Sequence, residues 1–555
     1  MLNSFDKRIR NSFCVYSLVL VIFGESYSFR AAHRAQIITK GNTILHISSE
    51  KSYKQENSVI PPWLPTFSTA AIGGLLFGYD IGSSSSVVRI LGTGLSDFGS
   101  LDPIQLGQVA SSSLFGAMLA SAAIIYAGDG KIGRKFELIG ASALFGVGTL
   151  VQSLGTSLPF VLLGRIIYGL GIGTAMHVAP LYIAETSPNN LRGKLVSFKE
   201  AAIVAGIVLG YAGGAAFGES LNWRYVFESA LPLEALMLVG ALYVPESPRW
   251  LALRGRPEEA VEALQIAQGV TREEATVQVN EMVRLSSADS VGPATSSSTS
   301  VVVTNGGNSK TDTESDSVIV KMKSLFASPY NRQALLIGVG LVLFQQLSGQ
   351  PSVLYFANRI FEGAGLGYEA AVGVGVFKFI MTLVSASLVE NPNWGRRQLL
   401  LYGNAGITAS LLGLSALYGY GAISPDHLPN QPAIISCILL FVGCYQIGFG
   451  PITWLILSEI FPLKIRSAAV SLGTLANFAS NLLIALVFEA ERLSIGESLL
   501  FLQFAVIAGL ATLFTYTSVF ETRGLSLEEI EEKLTALVDS NRSARDVDKS
   551  DGSRT

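Results

Sequence analysis

After residue 60 the chain carries twelve stretches of roughly 20 apolar residues each, at 64–85, 105–127, 136–155, 158–183, 195–218, 223–244, 333–358, 368–390, 399–421, 432–457, 467–489 and 496–519. That is the length an α-helix needs to cross the hydrocarbon core of a bilayer, and nothing else in the sequence restricts the fold as much. Lipid offers no partner to a backbone N–H or C=O, so a spanning segment must satisfy its own groups, in a helix or in a closed barrel. A barrel would alternate apolar and polar residues over about ten positions at a time, and that alternation is missing. The expected fold class is an all-α membrane protein with twelve transmembrane helices. Composition agrees: 15% of the 555 residues are Asp, Glu, Lys or Arg, against about 25% in a soluble chain. A net charge of -3 provides no basic face for a nucleic acid. Three cysteines are too few for a disulfide framework. Two of them, Cys437 and Cys444, fall roughly 10 Å apart along one helix axis, too far to bridge.

Charge is distributed unevenly among the connections. The even-numbered loops carry Lys131, Arg134 and Lys135, then Arg192 and Lys194, then Arg396 and Arg397, then Lys464 and Arg466. The odd-numbered loops are poor in Lys and Arg. The positive-inside rule places the even loops and both ends of the helical core in the cytosol. The expected organisation is a leader and arm at 1–60, a six-helix bundle at 61–244, cytosolic linker helices at 245–332, a second six-helix bundle at 333–519, and a cytosolic helix and tail at 520–555. Within the linker, 285–318 is a Ser/Thr-rich insert whose composition cannot bury a core, and disorder is expected there. In the leader, Lys7, Arg8 and Arg10 precede an apolar run at 13–24 with signal-peptide proportions. Residues 29–49 then carry Arg30, His33, Arg34 and Lys40 without one acid, as a transit peptide does. The pair looks like the two-part leader of complex-plastid algae; an ordinary secretory leader or a cytosolic arm are the alternatives.

The two halves repeat each other. Glu185 through Arg192 matches Glu459 through Arg466 at an offset of 274 (459 − 185 and 466 − 192). Gly133-Arg134-Lys135 matches Gly395-Arg396-Arg397 at 262 (395 − 133), and Glu246 to Arg249 roughly matches Glu521 to Arg523 at 275 (521 − 246). Three matches in the same order give two bundles in parallel orientation, related by an axis along the membrane normal. Such a pair encloses a site near the midplane and can rock about it. Each motif Arg lies beside a helix end and can hold a carboxylate through two hydrogen bonds. Contacts of the Glu185–Arg249 type are expected to tie the bundles shut at the cytosolic face when the cavity faces outward and to break when it opens inward; charges that only fix topology are the alternative.

In order, GGLLFGYDIG (73–82), GRIIYGLGIG (164–173), PLYIAETSPNNLRGKLVS (180–197), PESPRWL (245–251), FQQLSGQPSVLYF (344–356), GPITWLILSEIFPLKIR (450–466) and ETRGLSLEEIE (521–531) make the chain resemble the sugar-porter family of the major facilitator superfamily. The GQPSVLY variant and VGVFKFIMT (374–382) look most like the vacuolar and plastid glucose or xylose–proton symporter-like branch of plants and algae. The resemblance implies that Gln345, Gln346, Asn477 and Asn481 bind sugar hydroxyls, that Trp454 lies under the sugar ring, and that Phe77 is an aromatic wall. An amide supplies donors and acceptors together, which suits a polyol, although each amide taken singly could be interhelical glue. Departures from the pattern bear on sugar preference: Ile207 and Pro351 stand where relatives have amides, Phe356 where a Tyr is common, and Gln350 is offered as a replacement amide. Loop 2–3 has Gly130 at the usual acidic position, loop 8–9 is lengthened, and Phe520 replaces a Pro.

Asp80 in the first span and Arg165 in the fourth are the most informative charges. Each costs roughly 2.5–3.5 kcal/mol at a helix centre, so such a residue is paired or functional. The resemblance implies that Asp80 carries a coupling proton and Arg165 tunes it; a static pair that fixes packing is the alternative. Lys378, paired with Glu390 or snorkelling, and Glu200, Glu234 and His177 are further intramembrane groups without an assigned role. The cytosolic motif residues are Arg134, Glu185, Arg192, Glu246, Arg249, Arg396, Glu459 and Arg466. The reading is a monosaccharide transporter working by alternating access as a proton symporter, with a uniporter or a sugar sensor as the alternatives. No enzyme motif, metal site or cofactor is expected; the partners are a sugar and the bilayer, the unit is a monomer, and the membrane is a plastid envelope, an endomembrane or the plasma membrane.

Overall fold

A computed structural model describes residues 61–536 apart from 291–324, 327, 462, 531 and the stretches 94–96, 128–131, 189–190, 218–221, 364–366, 424–430 and 526–528. The leader and most of the Ser/Thr-rich insert therefore lie outside the described residues. The helices are α1 (Leu64–Leu91), α2 (Pro103–Ala127), α3 (Arg134–Leu154), α4 (Leu158–Thr186), α5 (Arg192–Phe217), α6 (Trp223–Glu228), α7 (Leu231–Tyr243), α8 (Pro248–Leu253), α9 (Pro257–Gln268) and α10 (Arg272–Ser290). They continue with α11 (Pro329–Leu347), α12 (Gln350–Tyr355), α13 (Ala357–Gly363), α14 (Tyr368–Glu390), α15 (Arg396–Ile423), α16 (Gln431–Ile447), α17 (Phe449–Glu459) and α18 (Leu463–Ser518).

Among the described residues, ten helical stretches are long and apolar enough to cross a membrane. The last of them, Ala468–Ser518, is 51 residues long and turns at Gly496 (φ 79°, ψ 161°), a conformation glycine adopts without a Cβ clash. It holds two spans. The helix α1 falls outside the ten because Asp80 and the serines at 83–86 dilute its hydropathy, yet it is 28 residues long and almost wholly buried. With these two adjustments, twelve membrane-length segments follow in the order expected.

The differences from expectation are local and glycine-driven. The seventh span is broken at Gly349, whose φ of 87° lies in the left-handed region, so that α11 stops and α12 and α13 restart in new directions. The tenth span breaks at Gly448 into α16 and α17. The helix α10 runs to Ser290 and so enters the segment read as disordered from 285. Helices α8 to α10 close a small core of their own around Leu251, Leu264 and Val279. Ser247 starts this unit as an N-cap, accepting a hydrogen bond from Trp250 N at 3.1 Å. Gln268 Nε2 docks it on the end of α4 by donating to Ser187 O at 3.1 Å. Near the C-terminus, residues 532–536 are helical, and Ile530 and Leu534 are buried in the main core.

Helices α1 to α7 pack mainly on one another, and so do α11 to α18; the two sets meet where α2 crosses α18 and where α5 lies along α14. Small residues permit the closest crossings, as in membrane helices generally. A Cβ on Gly78 would fall 1.8 Å from Ile203 O, and one on Gly107 would fall 2.1 Å from Leu486 O. Further contacts between the sets gather at the end that carries the odd-numbered loops. Arg89 Nε pairs with Glu362 at 3.2 Å, and its guanidinium carbon lies 4.2 Å from the Tyr368 ring centre. Asn358 donates through its backbone N to Ser85 Oγ and through Nδ2 to Ser86 Oγ, both at 2.9 Å. Tyr211 Oη donates to Leu354 O at 2.8 Å.

Candidate functional site

Two polar groupings lie inside the helical core, one in each set. In the first set, α4 brings Arg165 against Asp80 of α1. Arg165 is fully buried and Asp80 is 2% exposed. Arg165 Nη1 donates to Asp80 Oδ1 at 3.1 Å, and Nη2 lies 3.5 Å from Oδ2. The same Nη2 donates to Ser84 Oγ at 2.8 Å and to Ser113 Oγ at 3.0 Å. Ser113, on α2, donates in turn to Asp80 Oδ2 at 2.6 Å. Phe227 closes the site, with its ring centre 5.3 Å from the guanidinium carbon. A buried ion pair is held in place only when hydrogen bonds satisfy its remaining groups, and here hydroxyls from two helices supply them. A serine hydroxyl such as that of Ser113 can donate to a carboxylate or accept from a protonated carboxyl.

In the second set, α11 presents Gln345 and Gln346 beside α17 and α18. Gln345 Nε2 donates to Phe449 O at 2.7 Å, at the first residue of α17. Gln346 donates to Asn477 Oδ1, and its amide also lies 3.5 Å from Gln345 Oε1. Asn481, one turn further along α18, is 5% exposed, and its Oδ1 has no hydrogen-bond partner among the described residues. Gln350 is buried at the start of α12. Trp454 is partly buried on α17 against the core. Phe77 reaches across from α1 to meet Phe478 edge to face at 6.1 Å between ring centres. Gln446 and Tyr355 belong to the same region and were not singled out from sequence. Gln446 is buried beside Gly450, and the fully buried Tyr355 Oη has no partner among the described residues.

The repeated motif residues, expected from sequence to face the cytosol, form the same contacts twice. Arg134 Nε lies 3.5 Å from Glu185 Oε2, and Glu246 Oε1 accepts from Lys135 N at 3.0 Å at the start of α3. In the second half Arg396 pairs with Glu459, and Glu521 accepts from Arg396 N at 2.9 Å and Arg397 N at 3.1 Å at the start of α15. Carboxylates at helix N-termini satisfy free N–H groups and complement the dipole. Among the described residues, Glu185 and Arg249 are not paired in this conformation. Glu185 is engaged by Arg134 and by Ser247 Oγ at 2.6 Å, and Arg249 is exposed. The motifs fasten helix ends within each set, because the carboxylates are aimed at the N-termini and arginines of their own half. Arg192 is exposed, and Arg466 donates back to Phe461 O at 3.2 and 3.1 Å. Burial lowers the Arg466 pKa from its ordinary value.

With the geometry in hand, comparison with known proteins decides the family. The family model described as "Sugar (and other) transporter" matches residues 66–534. The chain belongs to the sugar (and other) transporter family. Among its relatives, the D-xylose-proton symporter-like 3, chloroplastic, of Arabidopsis thaliana is 42% identical, covering 86% of this chain and 83% of its own length. The glucose transporter GlcP of Staphylococcus epidermidis is 32% identical over 84% of this chain and 96% of its own. The partially occluded inward-open xylose transporter XylE from E. coli superposes with a TM-score of 0.67 at 26% identity, covering 83% of this chain and 99% of that one. XylE bound to 6-bromo-6-deoxy-D-glucose gives a TM-score of 0.64 at 27% identity, covering 85% and 98%.

For this transporter, sequence reasoning named both members of the Asp80–Arg165 pair and three amides that touch or neighbour one another. It missed Ser84 and Ser113, whose only signal was a run of hydroxyls within apolar helices. It left Glu234 unassigned; this side chain is 2% exposed and accepts from Thr149 Oγ1 at 2.6 Å. His177 Nε2 lies 3.9 Å from Glu137 Oε2, beside the first cytosolic motif. Lys378 lies with its Nζ 5.2 Å from the Tyr445 ring centre, while the side chain of Glu390 lies outside the described residues.

Proposed function

We propose that this transporter carries a hexose or pentose across its membrane by alternating access, in symport with a proton. The observation that carries the reading is the Asp80–Arg165 pair, fully enclosed and surrounded by hydroxyls that can serve either protonation state of the carboxylate. Protonation of Asp80 removes the charge that Arg165 holds, which frees α1 to move relative to α4. Amides that can satisfy sugar hydroxyls sit on α11, beside the break at Gly349, and on α18. The names of the relatives support both substrate and coupling: xylose–proton symport, and glucose transport.

The domain reading accompanies this function. Residues 61–244 and 333–519 are two six-helix bundles in parallel orientation, and 245–332 is a cytosolic linker. The even loops face the cytosol, so the end where Arg89 and Asn358 join the two sets is the outer end, and the conformation is inward-facing. The similarity to XylE in inward-open forms supports that assignment. The transporter works as a monomer, has no prosthetic group, and uses the proton as its coupling ion. The relative labelled chloroplastic supports a plastid-envelope address for the leader at 1–60.

The test is uptake of radiolabelled xylose, glucose, galactose and sucrose in a transporter-null host at two external pH values, with proton-gradient collapse as a control. Accumulation above the equilibrium level that vanishes on collapse is expected. Influx that equilibrates and ignores the gradient would make the protein a uniporter, and binding without flux would make it a sensor.

A further inference from the structure

Lys378 is a buried ammonium that the proposed transport mechanism does not use. It lies midway along α14 and is 5% exposed. Its Nζ rests 5.2 Å from the Tyr445 ring centre, and no described carboxylate lies within 4 Å of it. A cation over an aromatic face recovers only part of the cost of leaving water. Tyr445 belongs to the second polar grouping: it packs on Phe449 at 6.2 Å between ring centres, and Gln345 donates to Phe449 O.

The helix packed against α14 from the other set is α5. One turn before Lys378, a Cβ on Gly375 would lie 3.1 Å from Tyr211 and 3.2 Å from Val208, so the two helices touch there directly. They run antiparallel. Moving from Gly375 to Lys378 therefore leads down α5 from Tyr211 towards Glu200, on the side of the even loops. Glu200 is the carboxylate that acts electrostatically on both Lys378 and Tyr445. It is 41% exposed and is engaged at 3.3 Å by its neighbour Lys199.

We infer that Lys378 and Glu200 form a charge pair across the two helical sets that is made when the cavity shuts to the cytosol and is parted in the conformation seen here. Lys378 is then a positioning residue: its charge biases the closing of α14 on α5, and its seat on Tyr445 links that closing to the amides of α11. The inference rests on the alternating-access reading.

Two experiments test it. In uptake assays, Lys378→Glu and Glu200→Lys are each expected to lower transport about tenfold or more. The exchange Lys378→Glu with Glu200→Lys is expected to recover to within about threefold of wild type. A double variant no better than the worse single one overturns the pair. Independently of transport, Lys378→Cys and Glu200→Cys in a chain whose native cysteines are replaced by Ser are treated with a short bifunctional thiol reagent. Bridging is expected to rise when Arg89→Glu is added, because repulsion from Glu362 opens the outer end. Bridging that Arg89→Glu leaves unchanged overturns the inference even where the charge variants fail to fold. If wild-type protein shows no sugar uptake, the functional reading fails while the bridging result still decides the pair.

Discussion

At the scale of single residues, the transporter concentrates its chemistry in a few polar groups whose burial makes each one expensive. Asp80 and Arg165 are tolerated in the core because they pair with each other and because Ser84 and Ser113 add hydrogen bonds to the guanidinium Nη2 and the carboxylate, leaving Arg165 Nε without a hydrogen-bond partner among the described residues. Replacing Asp80 by Asn keeps the shape but removes the titrating group. Asp80→Asn is expected to abolish uphill accumulation while counterflow exchange of sugar continues; accumulation unchanged from wild type would exclude a coupling role. Gln345 is the amide most firmly placed, through its bond to Phe449 O. Truncation to Ala removes a proposed sugar partner and the Nε2 bond to Phe449 O, at about 1–3 kcal/mol, so KM for the transported sugar should rise about tenfold or more in initial-rate measurements. These residues were legible in the sequence because a charge or an amide stands out in an apolar helix. Ser113 was not, since a serine is ordinary in a membrane helix and only the folded chain shows its hydroxyl pointing at Asp80.

At the scale of elements, glycine placement decides where the helices bend and how closely they cross. Gly349, Gly448 and Gly496 each interrupt a stretch that hydropathy reads as continuous or as merely adjacent. Hydropathy reports transfer to lipid and carries no information about φ, so the expected spans were right in place and wrong in straightness. The helix ends are held by acidic side chains from elsewhere in the chain. Glu521 caps α15 with two charge-assisted hydrogen bonds, as Glu246 caps α3. Glu521→Ala should cost about 1–3 kcal/mol and lower the thermal unfolding midpoint of the detergent-purified protein by several degrees, whereas a surface substitution such as Glu273→Ala should not. Gly107→Leu places a side chain where Leu486 O already lies and is expected to prevent the crossing of α2 with α18; folded, monodisperse protein at wild-type yield would contradict that packing.

For the whole molecule, the important quantity is the balance between two ways of closing the cavity. In the conformation described, the contacts of Arg89, Asn358 and Tyr211 join the two sets at the outer end. Removing about 1.4 kcal/mol of that closure shifts the ratio of states about tenfold. Asn358→Leu, which loses the Nδ2 hydrogen bond to Ser86 of α1, should therefore increase labelling of an introduced cavity cysteine by an impermeant thiol reagent added outside. Equal labelling in variant and wild type would show that these contacts do not hold the outer end shut.

The sequence by itself determined the helical membrane fold, the repeat, the family and most of the polar residues of the candidate site. Those are properties of composition, spacing and local pattern, and the energetics of lipid leave little choice about them. Only the tertiary structure decided who meets whom. It turned the cytosolic motifs into braces within each set, joined Ser113 to Asp80, and set Lys378 on Tyr445 facing α5. Such pairings depend on the rotation and crossing of helices far apart in the chain, which small residues and broken turns control and which hydropathy along the chain does not encode.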